Sequence, residues 1–264
     1  MKPTIPKLPT SPPPMPSKKV LFEKPSPKFG TRIVLYGTGG IGKTTLASYA
    51  PGQVVFFDLD QSLGTLGIDC PVVAVDSWSS LRAALKPEWP DSVKTIVVDS
   101  ITVAEEMCIR HVLDTVKVSG QKAESLEDYG FGKDIRYVYE AFILLLSDLE
   151  IHFKAGRNII LIAHEAKPEE TNPSGQNYIR FEPRLRSSKK GENSIRLKIK
   201  EWADFVGFLS YDIAVGKDKK AQGSGTRTLH LSEMPWFMAK NRGCQGPISI
   251  EEGKEADVWA EIIK

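Results

Sequence analysis

The chain has 264 residues, with 35 Lys and Arg against 33 Asp and Glu, a formal charge of +2 and 41% apolar side chains. That size suits one α/β core with appendages, and the near-neutral balance gives no global electrostatic ground for nucleic-acid binding. Three widely spaced cysteines, Cys70, Cys108 and Cys244, argue against a disulfide framework or a zinc site; without a leader-like or membrane-spanning run, the expected place is the cytoplasm.

Residues 1–28 carry proline after proline with lysines between, a composition that neither pairs backbone amides nor builds a core. They read as a disordered or extended arm, a solvated tail whose basic prolines could also touch an acidic partner. From Phe29 the pattern changes. Strands are predicted at Arg32 to Tyr36, Gln53 to Asp58, Pro71 to Val75, Thr95 to Asp99 and Asn158 to Ala163, with a long helix at Lys133 to Lys154. The unbroken apolar runs "VVFF", "TIVVD" and "NIILIA" are those of strands covered on both faces. An α/β fold follows, a mostly parallel sheet flanked by helices. After Ile199, "DFVGFLSYDIAV", "TRTLHL" and "PWFMAK" predict antiparallel strands that extend it. The core unit is expected at 29–250, with 251–264 a tail or short amphipathic helix.

Gly37-Thr38-Gly39-Gly40-Ile41-Gly42-Lys43-Thr44 fills the pattern G-x-x-x-x-G-K-[ST] between a predicted strand and a predicted helix. Glycines allow the tight turn that aims backbone amides at phosphate oxygens; Lys43 reaches the β and γ phosphates and Thr44 offers a hydroxyl to Mg²⁺, with Thr45 next in the helix. The expected ligand is ATP. A glycine turn with a surface lysine is the plain alternative. "KTIVVDSIT" ends a buried strand in Asp99, placed to hold the metal through water, with Ser100 able to orient it; Asp99 also suits a cap on the next helix.

The strand "QVVFFDLDQSL" ends in Asp58 and Asp60. Together with the loop it resembles two families. In partition-type ATPases the signature lysine would fall at Thr38 and the metal strand ends D-T-P rather than "DSIT". The fuller resemblance is to RecA-like ATPases, and among them to the compact phage group of single-strand-annealing, recombination-associated ATPases. It covers roughly Phe29 to Ile250 and implies the roles that follow. Asp60 falls where those proteins carry a water-activating glutamate, one methylene longer. His164, at the end of "NIILIAHE", falls at a polar γ-phosphate sensor. "MAKNRG" resembles a strand of DnaB-like helicases whose lysine and arginine, here Lys240 and Arg242, reach a neighbour's nucleotide, so a homo-oligomer, ring or filament, is implied. The segment after the sensor strand would contact single-stranded DNA, with Arg180, Arg184, Arg186, Lys189, Lys190, Arg196 and Lys198 on phosphates and Tyr178 and Phe181 on bases. Its glutamates dilute that field, and a merely solvated loop is the alternative. The reading is a Mg²⁺-dependent ATPase acting on single-stranded DNA; a nucleotide-gated mediator, a helicase motor and a P-loop kinase are its rivals.

Overall fold

The computed structural model describes residues 29–130, 132–188, 191–215 and 221–263. The arm at 1–28, with Lys189 and Lys190, lies outside them. In chain order, β1 (Arg32–Gly37) leads through the glycine loop to α1 (Lys43–Ser48) and β2 (Gln53–Asp58) to the short α2 (Leu63–Leu66) and α3 (Trp78–Ala84). β3 (Val93–Asp99) leads to α4 (Ile101–Thr115), a small hairpin of β4 (Lys117–Val118) and β5 (Gln121–Lys122), and the long α5 (Lys133–Lys154). β6 (Asn158–Ala166) precedes three two-residue strands, β7 (Glu169–Glu170), β8 (Tyr178–Ile179) and β9 (Glu182–Pro183), and then α6 (Ile195–Trp202). β10 (Phe205–Val215), β11 (Ala221–His230), β12 (Ile248–Ile250) and α7 (Glu255–Ile262) follow.

The main sheet runs β12-β11-β10-β1-β6-β3-β2, with β9 pairing off β6. Pairs from β2 to β10 are parallel, and β10–β11 and β11–β12 are antiparallel, which is the architecture read from the apolar runs. Strand alternation splits the core in two: Val34 and Tyr36 face the layer of α3, α4 and α5, whereas Ile33 and Leu35 face α1 and α7. In α5, Val138, Phe142, Leu145, Leu149 and Phe153 recur at helical spacing and are buried, which explains a 22-residue helix laid along the sheet.

The register sets the functional edge. Gly37 pairs with His164, Ile162 with Asp99, and Asp99 with Asp58, so the carboxyl ends of four strands meet in one row. β6 stands between the strand of the glycine loop and the strand of Asp99, which puts His164 between them. Gly37 passes so close to β10 that a Cβ there would lie 2.3 Å from the Leu209 carbonyl oxygen. Only glycine fits.

Two predicted strands are corrected. Pro71 to Val75 makes a single bridge, Val72 on Phe56, at the edge of β2, since Pro71 has no amide to donate and serves only as an acceptor for the Phe56 amide. "PWFMAK" is no strand either: Met234 and Phe237 close a tight turn over Pro235 and Trp236, and Lys240 makes one bridge to Val206. The third antiparallel strand is β12 instead. The short amphipathic helix read in the last residues is α7, with Val258, Trp259 and Ile262 buried. Among the described residues no helix is long and apolar enough to cross a membrane.

Candidate functional site

A pocket of about 470 Å³ opens at the carboxyl edge, lined among others by Gly39, Gly40, Gly42, Lys43, Thr44, Asp60, Asp99 and His164. The loop and the three acid-or-histidine strand ends predicted to work together are thus assembled around one space.

Helix α1 starts from Gly42, whose φ of 94° is left-handed and suits glycine, and no side chain caps it. Its first amides and those of the loop are therefore available to a ligand rather than spent on a cap. Lys43 is 8% exposed, and its Nζ donates to the carbonyls of Gly37 and Thr38, both at 2.9 Å. Burial pulls its pKa down, against the opposing charges of Asp99, Glu165 and Asp60. A buried ammonium held by loop carbonyls gains most from an arriving anion.

Across the pocket, Thr44 Oγ1 donates to Asp99 Oδ2 at 2.5 Å. Asp99 is 2% exposed; burial pushes its carboxyl up to about 6, with the Thr44 hydroxyl pulling down and the Asp60 and Asp58 charges adding to the rise. The next helix is capped by Ser100, whose hydroxyl accepts the Val103 amide, so the capping role weighed for Asp99 belongs to its neighbour. Among the described residues no group of three or more His, Cys, Asp or Glu could hold a metal by itself. A hydroxyl and one carboxylate are the protein's share of a Mg²⁺ site of the kind completed by water and phosphate oxygens, so the residues fit that ion if it arrives with a triphosphate.

Asp58 and Asp60, alike in sequence, part company. Asp58 turns back to accept the amides of Ser62 at 2.9 Å and Leu63 at 3.1 Å, which starts α2. Asp60 faces the pocket: its Oδ1 accepts from Ser100 Oγ at 2.8 Å and its Oδ2 lies 3.0 Å from His164 Nε2. Ser100 therefore orients Asp60 rather than Asp99. The main chain of His164 is clasped on both sides, its amide by Thr102 Oγ1 at 3.1 Å and its carbonyl by the Arg184 amide at 2.8 Å. Thr102 carried no readable signal in the sequence, because a threonine near the start of a helix is common.

Other predicted residues lie elsewhere. Lys240 and Arg242 sit at the amino edge of the sheet, away from this pocket: Lys240 Nζ donates to the carbonyls of Lys200, Glu201 and Ala203, and Arg242 pairs with Asp204. No strand forms there, unlike the one that "MAKNRG" resembles. Of the arginines read for nucleic acid, Arg180 is engaged by Glu182 and Glu233, Arg186 by Asp134 and Arg196 by Glu182, while Arg184 is exposed. Missed entirely was Arg227 on β11, whose Nη1 donates to the loop carbonyl of Ile41 at 3.0 Å.

A family model for an AAA domain matches residues 30–243. No curated protein matches the chain. Similar solved structures include a KaiC-like protein from the hyperthermophilic archaeon Pyrococcus horikoshii OT3, 17% identical over 86% of this chain and 88% of that one, TM-score 0.41. Another is the flagellar accessory protein FlaH from Methanocaldococcus jannaschii, 11% identical over 84% and 85%, TM-score 0.38.

Proposed function

The chain belongs to the AAA domain family, and from that premise and the pocket geometry we propose a RecA-like, Mg²⁺-dependent ATPase that works on single-stranded DNA in phage-type recombination or annealing. The observation that carries the nucleotide part is the buried Lys43 facing the Thr44–Asp99 pair across an uncapped glycine loop. Lys43 exchanges its two loop carbonyls for β and γ phosphate oxygens. Thr44 and Asp99 would hold Mg²⁺, which would neutralise phosphate charge. Asp60, oriented by Ser100, accepts a hydrogen bond from the attacking water and aims it in line with the γ phosphate. His164, within reach of Asp60, registers whether that phosphate is present.

The DNA part rests on the clasp behind His164. Its carbonyl takes the amide of Arg184, an exposed residue, so a shift of the sensor strand moves a side chain able to meet a phosphate. Arg180 and Arg186 would have to leave carboxylates to do the same, which makes Arg184 the stronger candidate. The oligomeric part rests on the resemblance of "MAKNRG" alone: for Lys240 and Arg242 to serve a neighbour, their contacts to Ala203 and Asp204 must open on assembly. Sedimentation with and without Mg²⁺ and ATP tests that.

The deciding experiment is ATP turnover of wild type and Lys43→Ala, each with and without single-stranded DNA. Turnover in wild type that Lys43→Ala abolishes and DNA raises is the expected result; no turnover in either moves the protein to the class of nucleotide-gated binding modules. In parallel, Arg184→Ala should weaken DNA binding and lower the salt slope by about 1. An unchanged slope removes Arg184 from the DNA contact.

A further inference from the structure

Arg227 lies on β11, directly opposite Tyr211 of β10. Both side chains turn to the glycine loop and meet successive carbonyls: Tyr211 Oη lies 3.4 Å from the Gly40 oxygen and Arg227 Nη1 3.0 Å from the Ile41 oxygen. The second arm of the guanidinium, Nη2, donates to Glu255 Oε1 at 3.2 Å. Glu255 is 5% exposed and opens α7, and Trp259 of the same helix donates its indole N–H to the Leu46 carbonyl of α1 at 2.8 Å. Both residues lie beyond the end of the family match at 243.

The Ile41 carbonyl and the Gly42 amide belong to one planar, trans peptide unit, so they point in opposite directions. Holding the oxygen outward on Arg227 turns the Gly42 N–H the other way, toward the pocket that Gly42 lines. The fit is close, since a Cβ on Gly42 would lie 2.2 Å from Arg227 Nη1. Without this contact the left-handed Gly42 peptide is free to rotate, and the amide must be ordered when the ligand binds.

We propose that Arg227, seated by Glu255, is a positioning residue for the phosphate-binding loop, and that α7 is the brace which presets the direction of the Gly42 amide. This rests on the nucleotide reading of the pocket. The guanidinium fork is needed because one group must span a carbonyl and a carboxylate at once; a lysine ammonium supplies the charge without that reach.

The test is calorimetric binding of Mg²⁺ with ADP to the full chain, wild type against Arg227→Gln, Arg227→Lys, Glu255→Gln and the double variant Arg227→Gln with Glu255→Gln. Arg227→Gln should weaken ADP about tenfold and Arg227→Lys several-fold, with Glu255→Gln between wild type and Arg227→Gln. Because Glu255 acts through Arg227, the double variant should bind no worse than Arg227→Gln. The rise in melting temperature on saturating ADP should shrink in the same order, a change that lost packing alone would not produce. Wild-type affinity in Arg227→Lys, or additive losses in the double variant, overturns the brace. If Arg227→Gln does not fold, the lysine and Glu255→Gln variants decide. Lys43→Ala runs alongside: ADP bound by that variant as tightly as by wild type overturns the pocket reading itself, an outcome distinct from failure of the brace.

Discussion

The two edges of the central sheet handle charge in opposite ways. At the amino edge Arg32 is held by Asp204 through its backbone amide, Nε and Nη2 and by Glu150 through Nη1, Arg242 shares Asp204, and Lys240 fills three carbonyls. At the carboxyl edge Lys43 rests on two loop carbonyls, Asp99 is buried beside a threonine, and Asp60 leans on a serine and a histidine. Charges matched to one another are costly to separate, whereas charges left half-matched around a space can still pair with a ligand.

Substitutions at the two edges should therefore separate cleanly. The largest effect is expected from Lys43→Ala: nucleotide affinity or turnover falls on the order of 10²-fold or more, with a melting temperature near wild type. Fluorescent-nucleotide titration beside calorimetry reads both, and a comparable loss in stability would erase the contrast. Next, Asp204→Ala should cost about 3 kcal/mol in urea unfolding by leaving the Arg32 amide, Nε and Nη2 without their acceptor, with Glu150 keeping only Nη1, while leaving nucleotide affinity alone. Burial works against Asp204, but the Arg32 guanidinium holds its carboxyl below the usual range, so its contribution is present above about pH 4 and lost as pH falls through the lowered value.

Asp60→Ala should reduce kcat on the order of 10²-fold with KM little changed, and Ser100→Ala should do less in the same direction. A rise in KM alone would make Asp60 a binding residue. The smallest effect concerns Glu105 of α4, which is 7% exposed and accepts the Arg186 amide at 2.8 Å. Burial pushes its carboxyl up to about 7. The folded state then holds a proton that the unfolded state has released, and stability falls as pH rises from the ordinary carboxylate range through about 7. Glu105→Gln should therefore gain about 1–2 kcal/mol at pH 8 and nothing at pH 4. Unfolding curves at both pH values check the sign.

What the sequence disclosed was the carboxyl edge. A loop motif compressed into eight residues, a buried run ending in Asp99 and another ending at His164 each declare themselves locally, because a strand's apolar run fixes which residue emerges at its end. Partners did not show. Nothing in "TRTLHL" marks Arg227 as a contact of Ile41, since that meeting depends on β10 pairing beside β1. The arginines between 180 and 196 are read from their place after the sensor strand, and only the fold brings the distant Glu233 to Arg180 and Asp134 to Arg186. "PWFMAK" misled because a run of bulky apolar residues says strand, while Pro235, second in the Met234–Phe237 turn, favours the turn that forms.

Trp259 has a further use. Its indole is 2% exposed and donates to a carbonyl of the helix that begins at Lys43, so the chain contains a fluorophore wired to that helix. With Trp78, Trp89, Trp202 and Trp236 replaced by phenylalanine, its emission would follow the loop during a stopped-flow mixing experiment without any added dye.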